Sequence, residues 1–148
     1  MKTILVAVDL SNTSSKVAKA AAALAKQMGT KVILLHVLQP INSSIPVGSG
    51  MDVVSIPLPC SDEDREDAAK QMELLAKTFH HEEIPVQILI KEAAAVETIL
   101  TTADHYHASM IVTGSHGRGA LYHLFAGSVV TEILKSSKKP VLVIPVHH

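Results

Sequence analysis

The chain is short of cysteine and lacks an excess of either charge. Cys60 is the single cysteine, so no disulfide can form within the chain, which fits a reducing compartment. The chain has 13 Lys and Arg and 14 Asp and Glu, which gives a formal net charge of −1. No overall field therefore attracts nucleic acid or an anionic membrane. Any anion site must therefore be local.

Long hydrophobic runs are also missing. The opening run from Ile4 to Val8 is interrupted by Asp9, which makes it too short for a signal-peptide core or a membrane span. No other segment approaches membrane-spanning length, so we expect a cytoplasmic protein with no membrane partner. A chain of 148 residues, 47% of them hydrophobic, predicts a single domain over residues 1–148.

Short apolar runs rich in β-branched residues predict the strands. They are continuous rather than alternating, which is typical of parallel strands buried on both faces. The runs are Ile4 to Val8, Val32 to Leu38, Val86 to Ile90, Met110 to Thr113 and Val141 to Val146.

Helical patterns lie between these strands. The first has Val17, Leu24 and Met28 near one stripe, and Gly29 as its stop. The predicted helices span Ser14 to Met28, Ser61 (as the cap) to His81, Ala94 to Tyr106, and a last segment from about Ser128 to before Pro140. The alternation predicts an α/β fold with a doubly wound, mainly parallel five-stranded sheet and helices on both faces. Its strand order stays open at this point.

One segment lies outside this alternation. Residues 39–60 contain four of the chain's seven prolines and two glycines, with no clear period. We therefore expect a long surface loop there, either a connector or a lid over a ligand.

A glycine-rich segment follows the fourth predicted strand, from Gly114 to Ser128. Glycines permit positive φ and close approach to the backbone, and the N–H groups that begin the next helix attract anions. The segment thus predicts a phosphate site, the alternative being that its glycines merely turn the chain. Leu121, Leu124 and Phe125 within it have helical spacing and are assigned to packing.

Common phosphate motifs do not match, because there is no G-x-x-x-x-G-K-[ST] and no glycine in the first strand-to-helix turn. The spacing Gly114-x-x-Gly117, nine residues, then Gly127-Ser128 instead resembles the G-2x-G-9x-G-[ST] signature of ATP-binding universal stress proteins. The stretches Met110 to Arg118 and Lys139 to Pro145 also look like that family.

The resemblance implies strand order 3-2-1-4-5, which puts Asp9 and Gly114 at one crevice beyond adjacent strand ends. It implies binding of ATP, ADP or AMP together with Mg²⁺ or Mn²⁺. In this resemblance the adenosine is held by Ala7, Asp9 and Val37, and the ribose and phosphates by Thr113, Gly114, Ser115, His116 and Gly117. Arg118 and Gly119 belong to the loop that contacts the nucleotide, and the phosphates are also held by Gly127, Ser128 and Val129.

The roles of three of these residues stay open. Asp9 could reach a nucleotide-bound metal ion, or only cap the next turn, as Asp commonly does. Arg118 adds a compensating charge or stays solvated. His116 contacts phosphate only if it is protonated.

The other histidines and the nucleophiles offer little for catalysis. His80-His81 and His105-x-His107 have spacings that do not place both rings on one helix face, so we expect solvated helix ends. No G-x-S-x-G elbow surrounds Ser115. A nucleotide-dependent binding module is the first hypothesis; a slow ATPase or phosphotransferase and a nucleotide-independent interaction protein are the alternatives. Relatives commonly pair through the last strand, which implies a homodimer.

Overall fold

The computed structural model describes residues 1–48, 50, 52–115 and 128–145. Seven strands and four helices lie within them. In chain order they are β1 (Thr3–Ala7), α1 (Ser14–Met28), β2 (Lys31–Leu38), β3 (Ile41–Pro46), β4 (Val53–Leu58), α2 (Asp62–His81), β5 (Val86–Glu92), α3 (Ala95–His105), β6 (Met110–Gly114), α4 (Ser128–Ser136) and β7 (Val141–Ile144).

The main sheet has five strands in the order β5-β2-β1-β6-β7, and every neighbouring pair is parallel. With β3 and β4 set aside, this is the order 3-2-1-4-5, so the predicted fold class is confirmed. Strand β1 is central, and its two neighbours are reached by windings in opposite directions.

Both faces of the sheet are covered by helices. Ile4 and Val6 of β1 pack with α1 and α2 in one cluster, while Leu5 packs with α3 and α4 in a second cluster on the opposite face. All of β1 is buried, which explains why its apolar residues run on without alternation. Within the described residues, no helix has the length and hydropathy needed to cross a bilayer.

Helix α1 buries an alanine face together with part of the predicted stripe. Ala18, Ala21, Ala22 and Ala25 are at most 2% exposed, whereas Met28 is 42% exposed. Of the predicted stripe, Val17 is buried and Leu24 packs against the same cluster, so the prediction was wrong only for Met28. The alanines were not predicted as the buried face, although small side chains let the helix approach the sheet and α2 closely. Gly29 ends the helix at φ 64°, as predicted.

Helix α2 begins as the sequence indicates. The Asp64 amide donates to Ser61 Oγ at 3.1 Å, and the Ser61 amide donates back to Asp64 Oδ2 at 3.3 Å. These two bonds form a capping box that satisfies otherwise unpaired amides of the first turn.

The segment 39–60 is not the predicted irregular loop, since β3 and β4 pair there as an antiparallel hairpin. Residues at alternate positions, such as Ile45, Val54 and Ile56, lie on one face of it and are exposed. This period-2 alternation of β-branched residues favours strands, and it was obscured by the prolines. In a two-stranded ribbon both strands are edges, where proline is tolerated.

Truncating two similar side chains of α2 should change the stability of the protein by very different amounts. Met72 is fully buried and Leu74 is 62% exposed. We expect Met72→Ala to lower the free energy of unfolding by about 2–5 kcal/mol, through lost burial and a residual cavity. The control Leu74→Ala should change it by less than about 0.5 kcal/mol. Urea unfolding of both variants measures this, and equal losses would contradict the described core.

Candidate functional site

A crevice opens where the pairing of β1 ends. The β1–β6 register stops at Val6↔Val112, although the two strands continue to Ala7 and Gly114. Beside this point lies a cavity of about 540 Å³. It therefore sits at the carboxyl ends of the strands where the winding reverses, the usual ligand position in such sheets.

Residues predicted from the sequence line this cavity together with residues that the sequence did not single out. The predicted ones are Ala7, Asp9, Val37, Thr113, Gly114 and Val129. The additional polar ones are Thr13, Ser14, His36, Gln39, Cys60, Asp64, Asp67 and Gln71. The main apolar walls come from Val8, Leu35, Leu38 and Ile99.

The two carboxylate oxygens of Asp9 have different hydrogen-bond environments. Its Oδ1 accepts from the Ser11 amide at 3.0 Å and from Ser14 Oγ at 3.2 Å, so Asp9 does cap the turn into α1. Its Oδ2 is buried and has no hydrogen-bond partner among the described residues. Since an unpaired buried carboxylate oxygen is costly, this atom is suited to receive a donor from a ligand.

The turn that carries Asp9 has an unusual backbone. Leu10 has φ 61°, in the left-handed region that residues with a side chain seldom adopt. Its side chain is buried in the core beside α1, which holds the residue there. Strain of this kind is often stored at functional sites, where surrounding packing sustains it.

His36 and Val37 form the β2 side of the crevice. The His36 ring is buried, and its Nδ1 lies 2.8 Å from the Val8 carbonyl oxygen. His36 was not among the predicted site residues, although a polar residue inside an apolar strand, directly before Val37, was a usable signal. Val37 is half-buried and packs against the α3/α4 cluster.

The opposite wall is formed by the end of β6 and the start of α4. Val129 and Val130, in the first turn of α4, line the cavity, and the backbone of Ser128 begins that helix. The Ser115 amide donates to the Ile144 carbonyl at 2.9 Å, so this donor is used by β7.

Other predicted positions cannot be placed. His116, Gly117, Arg118, Gly119 and Gly127 lie outside the described residues. So does the predicted packing turn with Leu121, Leu124 and Phe125.

A charged network fixes the cavity rim near α2. The Cys60 amide donates to Glu92 Oε1 at 2.9 Å, and Arg65 Nε donates to Glu92 Oε2 at 3.1 Å. The Cys60 amide first, and Arg65 second, hold the pKa of Glu92 below its usual range. Burial, together with nearby Glu92, raises the pKa of the Cys60 thiol, which makes it a poor nucleophile.

The remaining histidines of the helices lie apart from the cavity. His80, His81 and His105 are exposed in the last turns of α2 and α3, and His107 is exposed just beyond α3. Among the residues that the structure describes, no group of three or more His, Cys, Asp or Glu side chains is arranged to hold a metal ion.

Taken together, the described walls suit a ligand with an apolar part, a hydrogen-bond donor and an anionic group. Ala7, Leu35 and Ile99 offer apolar contacts, and Asp9 Oδ2 offers an acceptor. The first turn of α4 presents the amide end of a helix, which favours an anion.

Comparison with known proteins gives one consistent result. The model of the universal stress protein family matches residues 1–145. A universal stress protein of Mycolicibacterium smegmatis is 31% identical over 143 residues, covering 95% of this chain but only 47% of that protein. The universal stress protein Sll1654 of Synechocystis is 31% identical over 144 residues, covering 97% of this chain and 85% of its own length.

Solved structures agree with this match. The protein MJ0577 superposes with a TM-score of 0.76 at 25% identity, over 99% of this chain and 97% of its own. A universal stress protein of Archaeoglobus fulgidus, solved in complex with dAMP, has a TM-score of 0.69 at 22% identity, over 97% and 98% of the two chains. The second likeness shows the fold alone.

The rim network predicts a pH-dependent contribution to stability. Because the pKa of Glu92 is lower in the folded protein than in the unfolded chain, its carboxylate stabilises the fold above its ordinary pKa, and this contribution is lost as pH falls through the depressed value. We expect Glu92→Gln to be less stable than wild type at neutral pH, and the deficit to be smaller at about pH 3, where more of the wild-type carboxylate is protonated.

Urea unfolding at the two pH values measures the difference. Glu73→Gln, at an exposed position of α2, is the control and should change stability little at either pH. A Glu92→Gln deficit that stays the same at both pH values would contradict the role of its charge.

Proposed function

Because the chain belongs to the universal stress protein family, we propose that it is a cytoplasmic stress-response protein that binds ATP, and whose nucleotide occupancy changes its contacts with a protein partner. Adenine nucleotide binding is found within the family, as in the Archaeoglobus fulgidus protein in complex with dAMP. The crevice of this chain supports the same class of ligand here.

The buried Asp9 Oδ2 is the observation that carries this proposal. It lies at a cavity of about 540 Å³, which is within the usual size of a small-molecule site. The amino and hydroxyl groups of adenosine are donors that would satisfy it. Val37 and Ala7 line the same cavity and would contact the adenine face and edge.

The phosphates fit the other end of the crevice. There β6 ends at Gly114, and the amides of Ser128, Val129 and Val130 begin α4. Amides in the first turn of a helix lack partners within the helix and bind anions with the help of the helix dipole. We assign Gly117 and Gly127 to the same phosphates on the spacing of the signature, and Arg118, in the loop between them, to a compensating charge.

A divalent ion, Mg²⁺ or Mn²⁺, would arrive with the nucleotide. Mg²⁺ is usually held by phosphate oxygens, waters and one or two carboxylates rather than by a complete protein cage. Asp9 Oδ2, which lacks a partner among the described residues, is the carboxylate oxygen that would bind the ion in the alternative to its contact with an adenosine donor. The ion would compensate phosphate charge, while Asp9 orients the nucleotide.

Calorimetric titration with Mg-ATP tests the nucleotide proposal. We expect micromolar binding to wild type and a loss of at least about tenfold in Asp9→Ala, because a donor of the ligand loses its charged acceptor. Gly117→Val should abolish binding if the backbone approaches the phosphates there. Asp52→Asn, between the hairpin strands, is the matched control and should bind like wild type. Absence of Mg-ATP binding to wild type would contradict the proposal.

We also propose a homodimer formed through β7. This strand is at one edge of the sheet and carries Val141, Leu142, Val143 and Ile144, all half-buried. The bonds from Ile111 N to the Pro140 carbonyl and from Ser115 N to the Ile144 carbonyl fix its register with β6. In a parallel ladder of this register, the amides of Val141 and Val143 point away from β6. They are free to pair with a second copy.

Substitution at Val143 tests this interface. Val143→Pro removes an outward amide without removing a bond to β6, so we expect a dimeric wild type and a monomeric, folded variant. Val143→Ala shortens the side chain but keeps the amide, and it should stay dimeric. Light scattering at micromolar concentration reports the mass, and a monomeric wild type would refute the proposal.

A further inference from the structure

We propose that His36 is a positioning residue of the nucleotide site. Its ring donates a hydrogen bond to the Val8 carbonyl, and this leaves the Val37 amide without that partner, facing the crevice as a donor to the base. This inference rests on the proposed function. It assigns base selectivity to a side chain that the sequence analysis did not include in the site.

The hydrogen-bond pattern of β2 shows why Val37 is special. Alternate amides of β2 point to β5 and to β1: the Val32 amide donates to the Pro85 carbonyl at 2.8 Å, and the Lys31 amide donates to the Lys2 carbonyl at 3.0 Å. The Val37 amide is therefore on the β1 side. The Val8 amide donates to the Leu35 carbonyl at 2.9 Å, so the next bond of the ladder would join Val37 N–H to the Val8 carbonyl.

His36 occupies that carbonyl instead. Its Nδ1 lies 2.8 Å from the Val8 oxygen, and because a carbonyl can only accept, Nδ1 must carry the proton. No bond between the Val37 amide and the Val8 carbonyl is present in the described part of the chain. The ring is only 5% exposed, so packing holds it in this position.

The consequence is a backbone donor at the cavity wall. Val37 lines the cavity, and a backbone amide shielded from water needs an acceptor. Adenine offers N1 as an acceptor at its Watson–Crick edge, whereas hypoxanthine and guanine carry a proton on N1 and would oppose the amide. His36 would therefore favour adenine. It would also steady Asp9, which directly follows Val8.

Two substitutions separate the Nδ1 donor from the rest of the ring. The amide nitrogen of asparagine lies near the place of Nδ1, and that of glutamine near the place of Nε2. We expect His36→Gln to bind Mg-ATP about tenfold more weakly, because Val37 N–H turns to the Val8 carbonyl and adenine N1 loses its donor. His36→Asn should retain most of the affinity.

Comparing the affinities for ATP and inosine triphosphate (ITP) gives a base preference, which a purely structural role of His36 would leave unchanged. Calorimetry should show that wild type prefers ATP over ITP and that this preference shrinks in His36→Gln because ATP binding alone weakens. Urea unfolding of each variant measures the structural effect separately. If His36→Gln does not fold, Val37→Pro removes the same amide directly, at a position that makes no bond to β1. Val37→Ala is the control: it shortens the side chain but keeps the amide, so it should keep the preference for ATP over ITP even where its affinity changes.

The outcomes are distinct. A reduced preference for ATP over ITP in His36→Gln or Val37→Pro, while His36→Asn and Val37→Ala keep the wild-type preference, supports the role. Unchanged affinity and preference in a folded His36→Gln or Val37→Pro would overturn it while leaving the nucleotide proposal intact. Absence of ATP binding in wild type would overturn both.

Discussion

The termination of pairing along the central strand β1 is the constraint on which the site depends. Strand β1 is paired to β2 and β6 on its two sides, and beyond Val6 and Ala7 this pairing stops. Backbone groups past that point must find partners elsewhere, since buried backbone donors and acceptors are seldom left unpaired. Some are satisfied by side chains, as the Val8 carbonyl is by His36. We infer that other backbone groups at this point are available to bind a ligand.

The packing serves this arrangement from both faces. Small alanines bring α1 close to the sheet, and the turn into α1 carries Asp9 with a strained Leu10 beside it. On the rim, Glu92 connects the start of α2 to the end of β5 through Cys60 and Arg65. These features indicate a preformed crevice, and the protonated Cys60 thiol at its edge favours holding a ligand over covalent chemistry.

Sequence patterns predicted the architecture because burial on both faces leaves continuous apolar strands such as Ile4 to Val8, and because Ser61 and Gly29 carry the chemistry of helix ends. They failed at residues 39–60, where alternating Ile and Val were outweighed by prolines, and at Met28 of α1, which is exposed while alanines form much of the buried face. Asp9 and Val37 came from a family resemblance. His36 is a polar residue inside an apolar strand, which is a local signal, but its contact with the Val8 carbonyl depends on where the β1 ladder ends, a tertiary property.

The central claim is that an adenine nucleotide occupies the crevice beyond β1. Amide NMR spectra of the ¹⁵N-labelled protein, recorded with and without Mg-ATP, test it most directly. The account predicts that the resonances of Asp9, Val37, Gly114 and Val129 shift on binding, while those at the opposite end of the sheet, such as Lys2 and Lys31, stay unchanged. Shifts centred on the hairpin, or none anywhere, would contradict it.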